Sequence, residues 1–444
     1  MDSNYDDVIS AASHQISEAI LSREADLERR ALLLDADVRC LLQRIGLSVM
    51  QTVLGALSDR VVGATKESGL KVNRHRTSVV AVLFGAVEVA SPYFWDPISH
   101  QSCRPVRQKL GIKSRGRSQA VERALTDFGA EEAFGPAAKR FQEHYGWEIG
   151  RTTVLRVVQG IAAETEKFVA ERLAEKRLEY DKSLVERPGV DRILVELDGS
   201  EIRTGTLCKR PGRERTPVRH HKRRRRNEEW RDVRVGFARR LDEVNKTFVA
   251  RLAPYEEVTE QLFSAAVERG LSSQTEVIGL ADGGIGLREA MEEKFPSMRF
   301  ILDRPHIKSH LYETAEALRY AEGDKRNAWV HERLDLMDCG KSGDALNLLR
   351  QEQRRRRNDR LRKLIKHVCR FRDAVHYHRY RDEGLPSGSG EVESAHRYIP
   401  QKRLKIPGAC WHPSTINPML GLRVLRANEW WDDFWQKRVQ RYAA

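Results

Sequence analysis

The stretch ILVELDGSEIRTGT, residues 193–206, has the composition of a β-strand, and its apolar alternation weakens at Asp198-Gly199. Two further runs, WRDVRVGFAR (230–239) and KTFVARLA (246–253), predict the next strands of an antiparallel meander. Downstream, the pattern predicts a helix at 259–271, a strand at 276–284, a helix at 285–295 and a strand at 298–306. The order β-β-β-α-β-α-β indicates a mixed α/β or α+β class rather than a doubly wound repeat.

This succession of elements is the one expected of an RNase H-like mixed sheet flanked by helices, and the rest of the chain is predicted to be largely helical. Five segments follow from the pattern: an N-terminal helical region that could support oligomerisation (1–60), a DNA-binding region with a hairpin, a helix-turn-helix and a linker helix (61–186), the first part of the core (187–310), an all-helical insertion (311–385), and the last part of the core with a glutamate-bearing helix and a C-terminal helix (386–444).

The DNA-binding region contains several local signals. The run 79–89 predicts a strand or hairpin, and the proline-punctuated stretch that follows predicts a loop-rich connection. Two helices are expected within 118–146, with Gly146 at a break and Thr152 or Thr153 as the N-cap of the next helix. A helix-turn-helix carrying Arg151 and Arg156 is one interpretation, and an ordinary helical hairpin is an equal alternative.

The composition favours a soluble intracellular protein that meets a polyanion. The 444 residues include 78 Lys and Arg against 64 Asp and Glu, a formal charge of +14. A protein this basic commonly binds nucleic acid, although a merely solvated basic surface is the alternative. The six cysteines form no metal-binding pair and fit reduced thiols in a cytosol. We expect no signal peptide and no membrane span.

Three acidic positions could carry chemistry because of where they lie. Asp198 precedes a glycine inside an apolar strand, Asp282 precedes a glycine at the end of another, and Glu393 lies at a helix start. A carboxylate there is costly to desolvate, and a bound divalent cation compensates for that cost. A lone Asp-Gly is more often a turn. Glu391 and Glu393 are about 200° apart around a helix, so only one can face the aspartates, and the residues alone leave that choice open.

These segments resemble the bacterial insertion-sequence transposases of the ISKra type, relatives of the Mutator-like group, from about Leu194 to Trp435. The similarity is carried by LDG (197–199), WRDVRVG (230–236), ADGG (281–284), ILDRPHIKSHL (301–311), SGSGEVESAHR (387–397) and the closing segment NPMLGLRVLRANEWWDDFW (417–435). The cysteine pairs that give many members a zinc-ribbon look are missing here, where only Cys103 occurs.

The resemblance implies a DDE active site in which Asp198, Asp282 and Glu393 are both the catalytic residues and the ligands of two Mg2+ ions, with Mn2+ as a substitute. It selects Glu393 over Glu391. It also implies that Asp303 and His306 support the active site, while Asp303 remains a rival for the second metal ligand. A lone histidine such as His306 is more often a satisfied core residue.

Two basic runs are expected to hold DNA through its phosphates. The first, between Lys209 and Arg231, is predicted to be a loop beside the active site, although a solvated loop without ligand is the alternative. The second is predicted on a helix of the insertion. The candidate DNA-binding arginines of the two runs are Arg223, Arg224, Arg225, Arg226, Arg354, Arg355, Arg356 and Arg357.

The predicted function is that of a DNA transposase that cleaves insertion-sequence ends and joins the 3′-hydroxyl to target DNA. Its partners would be double-stranded transposon ends and target DNA, and two ends require a homodimer or higher oligomer. A cytoplasmic, nucleoid-associated location is expected. The alternatives are an RNase H-like structure-selective nuclease and a non-catalytic, domesticated DNA-binding protein.

Overall fold

The computed structural model describes residues 3–22, 32, 34–97, 100–112, 116–182, 189–209, 224–320 and 322–443. The chain forms two compact units. The first comprises Met1–Phe128 and Gly135–Val154, and the second comprises Gly129–Phe134 and Leu155–Ala444. The mixture of helices and sheets agrees with the predicted α+β class. The five predicted segment boundaries stay predictions.

The first unit combines helices with two small sheets. Its helices, including α4 and α5 at its boundary, are α1 (Ser3–Leu21), α2 (Leu34–Glu67), α3 (Pro105–Lys109), α4 (Gln119–Glu131) and α5 (Phe134–Tyr145). One sheet has the order β1-β4-β5 and the other β3-β2-β6. The strands are β1 (Lys71–Arg74), β2 (Thr77–Val82), β3 (Gly85–Ala90), β4 (Tyr93–Asp96), β5 (Gln101–Cys103) and β6 (Gly116–Arg117).

The hairpin predicted at 79–89 is confirmed as β2 and β3. Alternate residues of β3 are buried, as expected for a strand with one face on a core. That core packs against one side of α2, and its members are Val80, Val82, Val87, Val89, Val106 and Ile112, with Leu47, Met50, Leu54, Val61, Val62 and Leu110 around them. The two helices predicted within 118–146 are also confirmed, as α4 and α5.

The loop-rich connection predicted after the hairpin is wrong, because β4, β5 and α3 occupy it. The prolines mark element boundaries instead of a continuous loop. Pro92 precedes β4, Pro97 follows it, and Pro105 is the first residue of α3, where its missing N–H costs nothing.

Helix α6 (Arg151–Lys182) is continuous through Gly160. The predicted threonine N-cap is wrong. The carbonyl of Gly150 accepts hydrogen bonds from the N–H groups of Thr153 and Val154, so the helix starts one residue before the earlier threonine.

Helix α2 corrects the expectation that no segment could span a membrane. By length and composition alone it is long and apolar enough, with a mean hydropathy of 1.4 over its most apolar window. Some of its apolar residues, Leu47, Met50 and Leu54 among them, pack against the valine-rich core of the first unit.

The second unit is built on a five-stranded sheet of order β11-β10-β7-β8-β9. Strands β7 (Arg192–Lys209), β8 (Arg224–Arg240) and β9 (Lys246–Arg251) are antiparallel, while β10 (Glu276–Ala281) and β11 (Arg299–Leu302) run parallel to β7. Helix α7 (Tyr255–Glu268) joins β9 to β10, and α8 (Leu287–Lys294) joins β10 to β11. The predicted order β-β-β-α-β-α-β is therefore confirmed.

The free edge of β9 is covered by two asparagines from the C-terminal region. Asn428 accepts a hydrogen bond from Phe248 N–H and donates one to its carbonyl, and Asn417 does the same for Leu252. Such pairing satisfies backbone groups that an edge strand leaves open.

The region predicted to be helical after the fifth strand of the sheet is helical. It consists of α9 (Arg304–Ala317), α10 (Asp324–Asp338), α11 (Ser342–Arg355), α12 (Asp359–Arg370) and α13 (Tyr377–Asp382). Successive helices pack on one another, and α12 returns to pack on α9, so the first four close around a shared apolar core. Helix α9 starts directly after β11, which fixes the insertion to the edge of the sheet.

The chain then returns to the sheet through α14 (Gly390–His396) and a π-helical turn (Arg397–Gln401), and ends in α15 (Ile416–Ala427) and α16 (Trp431–Ala443). The aromatic residues near the end pack in a core: Trp430, Trp431, Phe434 and Trp435 are all buried, and Phe434 contacts Phe168 of α6 edge-on.

Candidate active site

The sheet register brings Asp198 and Asp282 to the same level. In the parallel pair β7–β10, Leu280 lies opposite Glu196, so Asp282, two residues further on, lies level with Asp198. Adjacent strands are about 4.8 Å apart. Asp282 directly follows β10, as predicted. Asp198 does not end its strand, because β7 continues to Lys209 as one arm of a long hairpin with β8.

Each aspartate is oriented by a nearby backbone N–H. Asp198 Oδ1 accepts a hydrogen bond from Gly199 N at 2.7 Å, and Asp282 Oδ1 accepts one from Gly284 N at 2.8 Å. The two carboxyl groups are therefore fixed by the main chain that follows them.

The packing of the protein favours glycine after each aspartate, most strongly at Gly283. Gly283 has a φ of +78°, and a Cβ there would lie 2.7 Å from both Leu302 and Phe371. A Cβ at Gly199 would lie 2.8 Å from Asp232 Oδ1. At both positions the space beside the main chain is therefore occupied by protein atoms.

The third carboxylate of the triad comes from α14. This helix carries Glu391 and Glu393, and ion pairs distinguish the two. Glu391 is held by Arg239, with Nη2 2.7 Å from Oε1, and by Lys246, with Nζ 2.8 Å from Oε2. The two ion pairs engage both carboxyl oxygens of Glu391. Glu393 points to a different side of the helix.

The electrostatics of Asp198 reflect its acidic neighbours. Burial raises the pKa of the Asp198 carboxyl to about 7; the Gly199 hydrogen bond opposes this, and the negative charges of Asp282, Glu393 and Asp232 add to it. Asp282 and Glu393 therefore lie near enough to Asp198 for their negative charges to act on it. Within the part of the chain that the structure describes, no Lys or Arg forms an ion pair with any of the three.

Among the described residues, no group of three or more His, Cys, Asp or Glu side chains is close enough, as it stands, to hold one ion. The triad nevertheless has the oxygen ligands that Mg2+ prefers and an excess of negative charge that a cation would relieve.

Asp303 lies at the start of α9 and is 2% exposed. Its side chain accepts hydrogen bonds from Ser389 N at 3.2 Å and Ser389 Oγ at 3.0 Å, in the turn before α14. Burial raises its pKa, while the Ser389 hydrogen bonds and the charge of His306 lower it. Both carboxyl oxygens are thus engaged by Ser389, which fits the predicted supporting role better than that of a metal ligand.

His306 is half-buried and belongs to a group of three histidines between α9 and α12. Its ring centroid is 4.4 Å from that of His310, which is 5.4 Å from that of His367. Burial, followed by the charge of neighbouring histidines, lowers the pKa of His310 and of His367 to about 4. Both are neutral at pH 7, and neither was singled out from the sequence.

Two further groups beside the triad were missed by sequence reasoning. His396 is buried, and its Nε2 lies 3.3 Å from Asp198 Oδ2. Burial lowers its pKa to about 4. Glu196 is fully buried, and its Oε2 accepts a hydrogen bond from Val392 N at 3.0 Å. Burial raises the pKa of Glu196 to about 8. The available signals were spacings: His396 follows Glu393 by three residues on a helix, and Glu196 precedes Asp198 by two on a strand.

The predicted DNA-binding arginines belong to segments of the chain other than those that carry the triad. Arg151 and Arg156 are both exposed on α6. In the first basic run, Arg223 lies outside the described residues. Arg224, Arg225 and Arg226 belong to β8, so the loop prediction was wrong for this end of the run. Arg226 is exposed and 3.9 Å from Glu228.

The second basic run is divided between two helices. Arg354 and Arg355 end α11, Arg356 and Arg357 lie in the connection that follows, and the later basic residues lie on α12, so a single helix was the wrong prediction. Arg356 packs on Tyr320 and pairs with Glu352, which gives it a structural role. The other three arginines are exposed.

Comparison with known proteins adds no assignment to this geometry: no protein-family model matches the chain, and no curated protein matches it.

Proposed function

We propose that the second unit is a metal-dependent polynucleotidyl transferase on an RNase H-like fold. The observation that carries the proposal is the placement of Asp198 and Asp282 at the same level of two adjacent parallel strands, with Glu393 on a helix that packs on the sheet. The negative charges of Asp282 and Glu393 add to the effect of burial, which raises the pKa of Asp198. Neighbouring carboxylates that pair with no Lys or Arg among the described residues suit a site for hard divalent cations.

The sheet supports the fold assignment. Three antiparallel strands followed by two strands parallel to the first, with the first in the centre, is the arrangement expected of an RNase H-like core. A carboxylate on the central strand and another at the end of the adjacent parallel strand then lie side by side.

Within that class, we propose a DDE transposase of the ISKra type. The support is the ordered series of motifs from Leu197 to Trp435, together with a helical insertion between the fifth strand and the glutamate helix. The partners would be transposon ends and target DNA, acted on by a homodimer or higher oligomer in the bacterial cytoplasm.

The residues that would hold the cations are Asp198, Asp282 and Glu393. Two bound Mg2+ ions would supply an activated water or DNA 3′-hydroxyl and stabilise the leaving oxygen of the phosphoryl displacement. The protein prepares the site by orienting one oxygen of each aspartate with a backbone N–H, and by drawing Glu391 away with Arg239. Loading requires the three carboxylates to approach more closely than they do without cations.

The neighbouring imidazole limits how Asp198 can move. His396 is neutral, and its Nε2 faces the Asp198 oxygen that the Gly199 N–H does not contact. A neutral ring in a buried position excludes water from that side without neutralising the carboxylate that a cation needs. The exposed arginines at the end of α11 would hold DNA by its phosphates without reading its sequence.

The test uses a supercoiled plasmid that carries the gene with the DNA flanking it on both sides. We expect the wild-type protein to nick and join this DNA with Mg2+ or Mn2+, and to lose activity in EDTA. Asp198→Asn, Asp282→Asn and Glu393→Gln should each nick at least about 100-fold more slowly while still retarding DNA in a gel, because a metal ligand contributes more than the 10–100-fold of an outer-shell partner.

The matched control is Glu201→Gln, which removes an exposed carboxylate from the same strand as Asp198 and should leave nicking unchanged. Equal nicking by all three triad variants would overturn the proposal. Nicking without joining would indicate a structure-selective nuclease instead, and binding without nicking by the wild type would indicate a non-catalytic DNA-binding protein. Activity in Asp282→Asn together with inactivity in Asp303→Asn would transfer the second ligand to Asp303.

A further inference from the structure

Two buried carboxyl groups accept hydrogen bonds from the start of the helix that carries Glu393. Asp303, from the end of β11, binds the N–H and hydroxyl of Ser389. Glu196, from the central strand β7, accepts the N–H of Val392 at 3.0 Å. The two contacts come from different strands of the sheet. The residues that they hold, Ser389 and Val392, are three positions apart in the chain.

The contact from Glu196 satisfies a backbone N–H group in the first turn of α14. The first N–H groups of a helix have no partner within it, and Ser389, at the N-cap position, gives no side-chain hydrogen bond to them. Glu196 therefore supplies, from a strand almost 200 residues away in the sequence, a cap that the helix lacks. The second oxygen of Glu196 is buried and has no hydrogen-bond partner among the described atoms, so the single contact to α14 is what the side chain provides.

The position of Glu196 couples two members of the triad. Glu196 and Asp198 are two residues apart on β7, so their side chains leave the same face of the strand. Val392, whose N–H Glu196 accepts, directly precedes Glu393. Strand β7 thus carries Asp198 of the triad. Two residues earlier it carries Glu196, which holds the helix that bears Glu393.

We propose that Glu196 is a positioning residue that fixes the first turn of α14, so that Glu393 is held beside Asp198 in the orientation that divalent cations require. This inference rests on the proposed function for its catalytic consequence. The hydrogen bond to Val392 is the physical means, and it acts on α14 whether or not cations are bound.

Three substitutions separate this role from simple packing. Glu196→Gln keeps an oxygen that can accept the Val392 N–H. Glu196→Leu fills similar space without an acceptor, and Glu196→Asp keeps the carboxylate but shortens its reach by one methylene. Glu201→Leu is the matched control on an exposed position of the same strand.

The first readout is amide hydrogen exchange of the peptide spanning 387–397 in the metal-free protein, with thermal unfolding to check folding. We expect faster exchange in Glu196→Leu than in the wild type, exchange close to wild type in Glu196→Gln, and no change in Glu201→Leu. If Glu196→Leu does not fold, Glu196→Asp replaces it and should also exchange faster. Wild-type exchange in every folded variant overturns the inference.

The second readout has two parts. Electron paramagnetic resonance measures Mn2+ binding, and a nicking assay on supercoiled plasmid is run at increasing Mg2+. A misplaced Glu393 should weaken Mn2+ binding and reduce the nicking rate about 10- to 100-fold in Glu196→Leu, as expected for a small displacement of a reacting group, with DNA affinity unchanged and with activity restored in Glu196→Gln. Equal Mn2+ binding and nicking in the wild type and Glu196→Leu contradict the positioning role alone. A wild type that binds no Mn2+ and nicks no DNA contradicts the proposed function, and hydrogen exchange still decides whether Glu196 fixes the helix.

Discussion

Glu391 and Glu393, two residues apart on α14, should respond in opposite ways to loss of charge. Glu391 is held by Arg239 and Lys246, of which the arginine side chain is only 11% exposed. Hydrogen bonds to charged groups contribute about 1.5–3 kcal/mol each when buried, but Glu391 is itself 33% exposed, and glutamine keeps an acceptor for the arginine. We therefore expect Glu391→Gln to lower the free energy of unfolding by about 1–3 kcal/mol.

For a unit of this size, that loss corresponds to a fall of about 2–5 °C in the midpoint of thermal unfolding. Glu393 pairs with no Lys or Arg among the described residues and contributes to the repulsion felt by Asp198. Its replacement by glutamine should leave the unfolding midpoint unchanged or slightly raised, and should abolish plasmid nicking. The assay is a thermal melt and a nicking time course on the two variants side by side. A stable, inactive Glu391→Gln beside a destabilised, active Glu393→Gln would refute the assignment of α14.

Three further predictions concern stability and DNA affinity. Gly283→Ala places a Cβ 2.7 Å from Phe371 at a positive φ, so urea unfolding should show a loss of about 2–4 kcal/mol. Asn428→Ala leaves the N–H and carbonyl of Phe248 without their partners at the edge of the sheet, and the same measurement should show a loss of about 2–4 kcal/mol; a loss below about 0.5 kcal/mol would contradict the edge-covering role. Replacing the exposed arginines Arg354, Arg355 and Arg357 by alanine should weaken binding to any duplex and reduce the salt dependence of the affinity by about one unit per lost phosphate contact, whereas an unchanged salt dependence would exclude this surface from DNA binding.

The order of the core elements could be predicted because each strand and helix carries a local signal. The runs around 194–198, 233–238 and 247–251 have strand composition, and α7 and α8 have helical spacing. Most of β7 was predicted, as the run 193–206, but its last residues to Lys209 and the start of β8 at Arg224 could not be, because they form strands only by pairing with each other. That pairing joins residues on either side of a basic segment that locally has the composition of a loop.

The triad was predictable only in part. The position of Asp282 follows from the end of an apolar strand, but the choice between Glu391 and Glu393 needed either a family resemblance or the sight of Arg239 beside Glu391. Glu196 gave no signal of its own. A glutamate inside a strand usually marks an exposed face, and only the packing of α14 across the sheet reveals that this one is fully buried.

The most direct test of the account is anomalous diffraction from crystals of the protein soaked in Mn2+. The account predicts two peaks about 4 Å apart, within about 2–2.5 Å of carboxylate oxygens from Asp198, Asp282 and Glu393. Peaks that lie only on other side chains, or no peak beside the sheet at saturating Mn2+, would contradict it.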